Sequence, residues 1–482
     1  MTADEDRSPG NGENDGPGRT ASARSRIREV SERQTEYILA NLRDAAVYPP
    51  RRDGDPNQPP GEFIYRRDHL LTTEQYLHDV LRILSTIDGI MAPGRGDEGG
   101  PAGEVGSPLP GLALIPLMFE GQLDLMGQAQ VMFDALDEVE RRLGPGVAAP
   151  DHAVHVTGPP PPPATLCPAT EPVKVPGDAA PRPGISRSCC DGRGTLVAVV
   201  DTGLVQDAPS RHPWLAGVTG DPDLEVTEGV SIERYGGHGT FIASIVRAMA
   251  PRAEVRVKRV FEKGGAIYET DIVRALLAVL DWAPDVISLS AGTHTWMHHG
   301  LLSFKVFVNG PLRECRDTVL VAAAGNDGLN WKFSPAEMER VIGVGALGPP
   351  GDARAWFSDY GDWVKVFAPG QDLVHAFASG TYTYEEQNPG TQANFTGMAS
   401  WSGTSFSTPV VSGLIAARMS GTGESAHEAA ESLLRLARAQ ALPGVGPVLR
   451  PGQACLCACE HPCRQCHHRS NCGCHPEAAR MS

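Results

Sequence analysis

An α/β fold, with a largely parallel sheet covered by helices, is what the central part of this 482-residue chain predicts. Residues 195–200 and 319–324 are short apolar runs rich in Val and Ala, as expected of strands buried on both faces. Between and after them lie longer segments with apolar residues at helical spacing, and strands alternating with helices imply a parallel sheet.

Taken in order, the run 195–200 puts Asp201 at the carboxyl end of a strand, the edge where open α/β sheets build their sites. The compact segment from His238 to Arg247 is expected to form a buried helix with the histidine in its first turn. Residues 254–261 and 340–347 supply further strands, and 269–282 and 425–439 further helices. The run 319–324 stops at Gly325, so Asn326 should project from the same edge as Asp201. Beyond Ser405, residues 410–417 continue as a helix in which Gly413 permits close packing. Pro409 is tolerable near that helix start, where one missing N–H matters least.

The flanks differ in character. Residues 1–60 are mostly polar, with little to bury, and are expected to be disordered. Residues 61–157 read as a small α+β domain: strand-like 62–66, a helix over 73–84, an apolar run at 112–119, a second helix over 131–143 and a strand at 153–156. Residues 158–190, opening on Pro159 to Pro163, read as an extended, semi-rigid linker, with Cys189 and Cys190 as linker residues. The α/β domain over 191–442 and a Cys/His-rich tail over 443–482 complete the chain.

Four blocks carry chemistry. Asp201 stands in Val-Val-Asp-Thr-Gly, His238 in Gly-His-Gly-Thr, Asn326 in Ala-Ala-Gly-Asn-Asp-Gly, and Ser405 in Gly-Thr-Ser-Phe-Ser-Thr-Pro. A serine hydroxyl is a weak nucleophile, so it needs a base in hydrogen-bond reach and a third group that orients the base. His238 and Asp201 suit those roles. Negative charge then develops on the attacked carbonyl oxygen and calls for fixed donors, for which the Asn326 amide and the Ser405 backbone N–H are suited. Singly, Asp-Thr-Gly reads as a strand-end turn and Gly-His-Gly-Thr as a helix cap. Jointly, each at the end of a strand or helix, they point to a serine protease. The aspartic-protease reading of Asp201 needs a second carboxylate motif, and none is present.

On these blocks the chain resembles the subtilisin-like serine proteases, the subtilases, over roughly residues 191–442. The linear order aspartate, histidine, serine distinguishes that family from other serine hydrolases. The resemblance implies a subtilisin-like fold and peptide-bond hydrolysis through an acyl-enzyme on Ser405, with Asn326 as oxyanion donor. It implies that Ser290, Ala291 and Gly292 pair with a polypeptide substrate as an added strand. It also suggests that residues 61–157 are a prodomain-like regulator acting within the chain. One departure stands out: Met249-Ala250-Pro251 runs almost directly into the next strand, so no calcium loop is expected after the histidine helix.

Composition bounds the partners. The formal net charge of −16 argues against nucleic acid. No apolar run is long enough for a membrane span and Met1 to Asp6 lacks a secretory pattern, so a cytoplasmic protein without membrane partners is expected. No cofactor is needed for the chemistry. The tail gathers Cys455, Cys457, Cys459, Cys463, Cys466, Cys472 and Cys474 with His461, His467, His468 and His475, a donor set for zinc or another soft metal, or for redox chemistry. The competing functional class is a catalytically silent protease-fold binding module with a metal-responsive or redox-responsive tail.

Overall fold

The structure, a computed structural model, describes residues 35–49, 62–91, 105–156, 170–261, 263–385 and 389–453. The N-terminal part is a sheet with helices α1 (Leu77–Leu84) and α2 (Leu125–Leu143) against it. Its strands are β1 (Ala45–Tyr48), β2 (Phe63–Thr73), β3 (Gly106–Leu109), β4 (Leu112–Pro116) and β5 (Ala148–His155). In space the order is β5, β2, β4, β3, with β1 also paired to β2. Phe63, Tyr65, Met132, Phe133 and Leu136 fill the core between sheet and helices. Asp124 caps α2 by accepting from the Gly127 N–H at 2.7 Å, so the helix starts before the expected 131.

The larger part is a parallel sheet whose central strands are β6 (Leu196–Asp201), β7 (Glu254–Arg259), β9 (Val286–Leu289), β10 (Val319–Ala323) and β11 (Val341–Gly348), ordered β7, β6, β9, β10, β11. Between β7 and β9 the chain makes the short strand β8 (Ala266–Tyr268), which does not join this sheet. Helices α3 (His238–Met249), α4 (Glu269–Leu280), α5 (Leu302–Asn309), α6 (Thr404–Thr422) and α7 (Ala426–Ala439) cover the faces. One core lies between the sheet and α3, α6 and α7, and a second lies under α4 and α5. Gly413 lets α6 approach α3 closely: a Cβ there would lie 2.6 Å from Met249 Cβ. Ser425 and Glu428 form a capping box at the start of α7.

The structure departs from the sequence expectations in several places. Residues 35–49, inside the segment expected to be disordered, form a helical turn and β1. They are held by Ile38 packing beside Ile64 and Tyr268 and by β1 pairing with β2. The expected spacer is not a free linker over 170–190. Val173–Lys174 pairs with the edge of the long hairpin β12 (Leu373–Thr383) and β13 (Gln392–Trp401), and Trp401 Nε1 donates to the Thr170 carbonyl at 2.6 Å. An unpaired strand edge offers backbone bonds that a Pro-rich segment can still take at its non-proline positions. Cys190 is not a linker residue either: it is buried in the core against Gly421 and is disulfide-bonded. The hairpin itself was not anticipated. The Cys/His cluster of the tail lies outside the described residues.

Candidate active site

All four predicted catalytic side chains reach one place at the carboxyl edge of the sheet. Asp201 ends β6 and His238 begins α3. Asn326 follows the Gly325 turn after β10, and Ser405 lies in the first turn of α6. Gly325 has φ of 102°, a conformation that other residues resist, which turns Asn326 back toward α6.

His238 Nδ1 and Asp201 Oδ1 are 2.7 Å apart, and both residues are buried. The carboxylate can only accept when ionised, so it fixes Nδ1 as the protonated nitrogen and leaves Nε2 as the base. Among the described residues Nε2 has no hydrogen-bond partner. The imidazole is walled by Trp401 and Phe406, with ring centroids 5.4 and 5.2 Å away, and Phe406 is the neighbour of Ser405 in the chain. The Ser405 hydroxyl is turned toward the Ser290 carbonyl at 3.4 Å rather than bonded to the imidazole, while Ser290 Oγ donates to the Ser405 carbonyl at 2.8 Å. Asn326 Oδ1 accepts from the Thr404 backbone N–H at 2.8 Å and from Thr404 Oγ1 at 2.9 Å. Since a backbone N–H can only donate, this fixes the amide so that its NH₂ turns away from Thr404.

Sequence reasoning missed Asp223. Its Oδ2 accepts from Thr202 Oγ1 at 3.1 Å and from the Gly237 N–H at 2.8 Å, tying together the residues that flank Asp201 and His238. Burial, the largest cause, pushes its carboxyl up to about 6. No motif signals it, because its partners are distant in sequence.

The sheet edge beside these residues is paired within the chain itself. Ser290, Ala291 and Gly292 leave β9 along the sheet edge, and His155, at the end of β5, pairs antiparallel with Gly292 through two backbone bonds of 3.2 Å. On its other side β5 pairs with β8, in the register Ala266↔His155, Ile267↔Val154 and Tyr268↔Ala153, and Val156 N donates to the Gly265 carbonyl at 2.8 Å. The end of β5 thus lies between two segments of the larger part, and β8 completes the N-terminal sheet.

Side chains reinforce this docking. His152 Nε2 accepts from the Trp296 N–H at 3.1 Å, so its Nδ1 carries the proton and donates to Glu269 Oε1 at 2.8 Å. Asp151 accepts from the Thr270 N–H at 3.3 Å and Oγ1 at 2.9 Å, satisfying groups at the start of α4, and meets Arg66 at 3.1 Å.

Phe333 stands between Gly292 and Gly325. A Cβ at Gly292 would lie 2.3 Å from Phe333 Cε1, and one at Gly325 would lie 3.0 Å from its Cγ. The ring, 2% exposed, fills the gap between Ser290–Gly292 and the Gly325 turn.

This is the arrangement of a serine-protease site on a parallel α/β sheet. Residues 192–444 match the subtilase family, and the chain belongs to that family. It is 32% identical to thermitase from Thermoactinomyces vulgaris over 247 residues, covering 49% of this chain and 78% of that protein. It is also 32% identical to a thermophilic serine proteinase from Bacillus sp. strain AK1 over 235 residues, covering 46% of this chain and 51% of that one. The match thus spans about half the length of the latter relative. Among solved structures, a cold-adapted subtilisin-like serine proteinase aligns with a TM-score of 0.41 and 20% identity, over 55% of this chain and 91% of its own.

Thr404→Val removes the side-chain donor to Asn326 Oδ1 and the acceptor for the Gly325 N–H, which bonds Thr404 Oγ1 at 3.2 Å. A peptidase assay should give kcat lower by roughly 2- to 10-fold, the worth of a modest hydrogen bond, with KM little changed. An effect on KM alone would mean that Thr404 does not orient the oxyanion donor.

Proposed function

We propose that this chain is a serine endopeptidase held in check by its own N-terminal domain. The observation that carries the catalytic part is the buried 2.7 Å bond between His238 and Asp201, which leaves Nε2 unpartnered beside the helix that bears Ser405. In the reaction His238 Nε2 takes the Ser405 proton as Oγ bonds to the substrate carbonyl carbon, and Asp201 stabilises the imidazolium. The Asn326 amide and the Ser405 N–H receive the charge on the carbonyl oxygen. The imidazolium then gives its proton to the leaving amine as the C–N bond breaks, and water hydrolyses the acyl-enzyme by the same route. Reaction requires the Ser405 hydroxyl to rotate from the Ser290 carbonyl toward Nε2, a single-bond change.

The full chain with β5 displaced, or residues 187–482, should be labelled covalently by a fluorophosphonate, and Ser405→Ala should not. Equal labelling of both would overturn the catalytic assignment and leave the silent binding module as the better reading.

The regulatory part rests on β5 occupying the track a substrate strand would use. Burial pushes Asp151 up to about 7 despite the nearby Arg66, whereas a free aspartate titrates near ~4. The docked form therefore holds a proton that the undocked form releases. Docking is strongest at low pH, weakens as pH rises from about 4 to about 7 by at most about tenfold per unit, and is level above that. Comparing labelling of the full chain with residues 187–482 should show a gap that narrows from about pH 5.5 to 7.5 and stays level above, and Asp151→Asn should flatten that change. Equal labelling of the two proteins at every pH would remove the regulatory reading.

Substrate choice follows from Phe333. In the register of β5, a substrate residue two beyond the one opposite Gly292 lies opposite Ser290, which contacts Ser405. Its side chain would turn toward the gap that Phe333 fills, so small residues are favoured on the acyl side of the cleaved bond. Phe333→Gly should raise kcat/KM for peptides with Leu or Phe there by about 10- to 100-fold, in line with opening an apolar pocket. Wild-type protein cleaving after Phe as readily as after Ala would rule this out.

The predicted soft-metal binding of the tail and the cytoplasmic setting stay part of this proposal. Among the described residues no helix is long and apolar enough to cross a membrane.

A further inference from the structure

Behind Phe333 three buried side chains from separate loops converge. His294 follows the substrate-facing segment, Asp327 follows the oxyanion residue, and Asp359 lies before the strand Val366–Pro369. Each offers a ligand atom within 4.8 Å of the others. His294 Nδ1 lies 3.2 Å from the Lys332 carbonyl, which can only accept, so this nitrogen carries a proton. Nε2 of a neutral imidazole then presents its lone pair to Asp327 Oδ2 at 3.0 Å, and two acceptors at that distance require a positive charge between them.

A second proton on His294 would serve that pair alone. Asp359 would still need neutralising. Its Oδ1 accepts from the Leu329 N–H at 2.8 Å, but Oδ2, fully buried, has no hydrogen-bond partner among the described residues.

We infer that His294, Asp327 and Asp359 bind one divalent cation. A single ion would use the His294 lone pair, neutralise both carboxylates and give the remaining Asp359 oxygen a partner. The Nδ1–H bond to a backbone carbonyl is the usual outer support of a metal-ligating histidine. One imidazole nitrogen with two carboxylate oxygens suits zinc, manganese or cobalt better than calcium, which prefers oxygen alone. Ligands at about 2.1 Å from a shared ion need only small side-chain movements from this spacing. Such an ion would brace the loop that carries Asn326 against the turn after Gly292, with Phe333, whose ring centroid is 5.3 Å from that of His294, resting on it.

The test uses the full chain, stripped of metal under reducing conditions and titrated with Co²⁺. One equivalent should give weak visible d–d bands of a nitrogen and oxygen site, distinct from the near-ultraviolet thiolate charge transfer that the cysteine tail would contribute. Asp359→Asn and His294→Gln should each lose those bands and keep any thiolate signal. Zn²⁺ or Mn²⁺ should raise the wild-type Tm by a few degrees and leave the Tm of Asp359→Asn unchanged. If either variant fails to fold, the wild-type titration still decides. Folded wild type with no d–d bands, and an unchanged Tm with each ion, would overturn the site and make the cluster a proton-sharing carboxyl pair.

Discussion

The hydrogen bond between His238 and Asp201, sealed from water, is the constraint around which the site is built. A polar pair taken out of solvent is stable only where its surroundings satisfy and orient it. The Thr202 N–H donates to Asp201 Oδ1 at 2.8 Å, and Asp223 holds Thr202 and Gly237 in one frame. The close landing of α3 on the end of β6 also explains the glycines of the two motifs. A Cβ at Gly239 would lie 2.4 Å from the Gly203 carbonyl oxygen, so the helix could not come near enough to bring His238 to Asp201 with a larger residue there. The motifs are therefore packing requirements as much as chemical ones.

The same sheet edge dictates how the two parts of the molecule meet. Gly292 and β8 each present backbone donors and acceptors that a single extended chain can satisfy on both sides, and β5 does so. Strand addition of this kind depends on backbone rather than side chains, so on the proposed function the groove would accept extended chains generally. What distinguishes β5 is the set of contacts just before it, where Asp151 meets the start of α4 and His152 bridges Glu269 and the Trp296 N–H. A substrate has no counterpart to these, nor to Trp296 packing into the core of the N-terminal domain beside Phe133.

Much of the candidate site was legible in the sequence, because each proposed catalytic residue sits where a regular element starts or stops. Apolar runs marked β6 and β10, and the residues after them, Asp201 and Asn326, fall at the sheet edge. Other features carry no local signal. Asp223 acts through partners many residues away, and Phe333 matters only because Gly292 and Gly325 leave the space its ring takes. The hairpin β12 and β13 was missed because its strands mix small and polar residues and one of them carries a register shift. The packing of residues 170–190 was unreadable for a related reason. Composition signals a spacer, whereas the deciding factor is a free strand edge elsewhere in the fold.

On the proposed function, Phe333 would set the energetic character of the cleft. With the space beside the reactive serine filled by a protein ring, a substrate cannot gain the burial of a large side chain there, which is where an apolar pocket would supply much of the binding free energy. Affinity must then come mainly from backbone pairing along Gly292 and β8, which any extended peptide makes and which gains little net free energy per hydrogen bond. A peptide in solution is thus a weak competitor for the groove. The N-terminal domain adds Asp151, His152 and a packed aromatic surface to the same backbone pairing, and its attachment in the same chain raises its effective concentration. On the proposed function, a shallow cleft would favour the tethered occupant over free substrate, and activity would depend on removing or loosening that domain rather than on substrate displacing it.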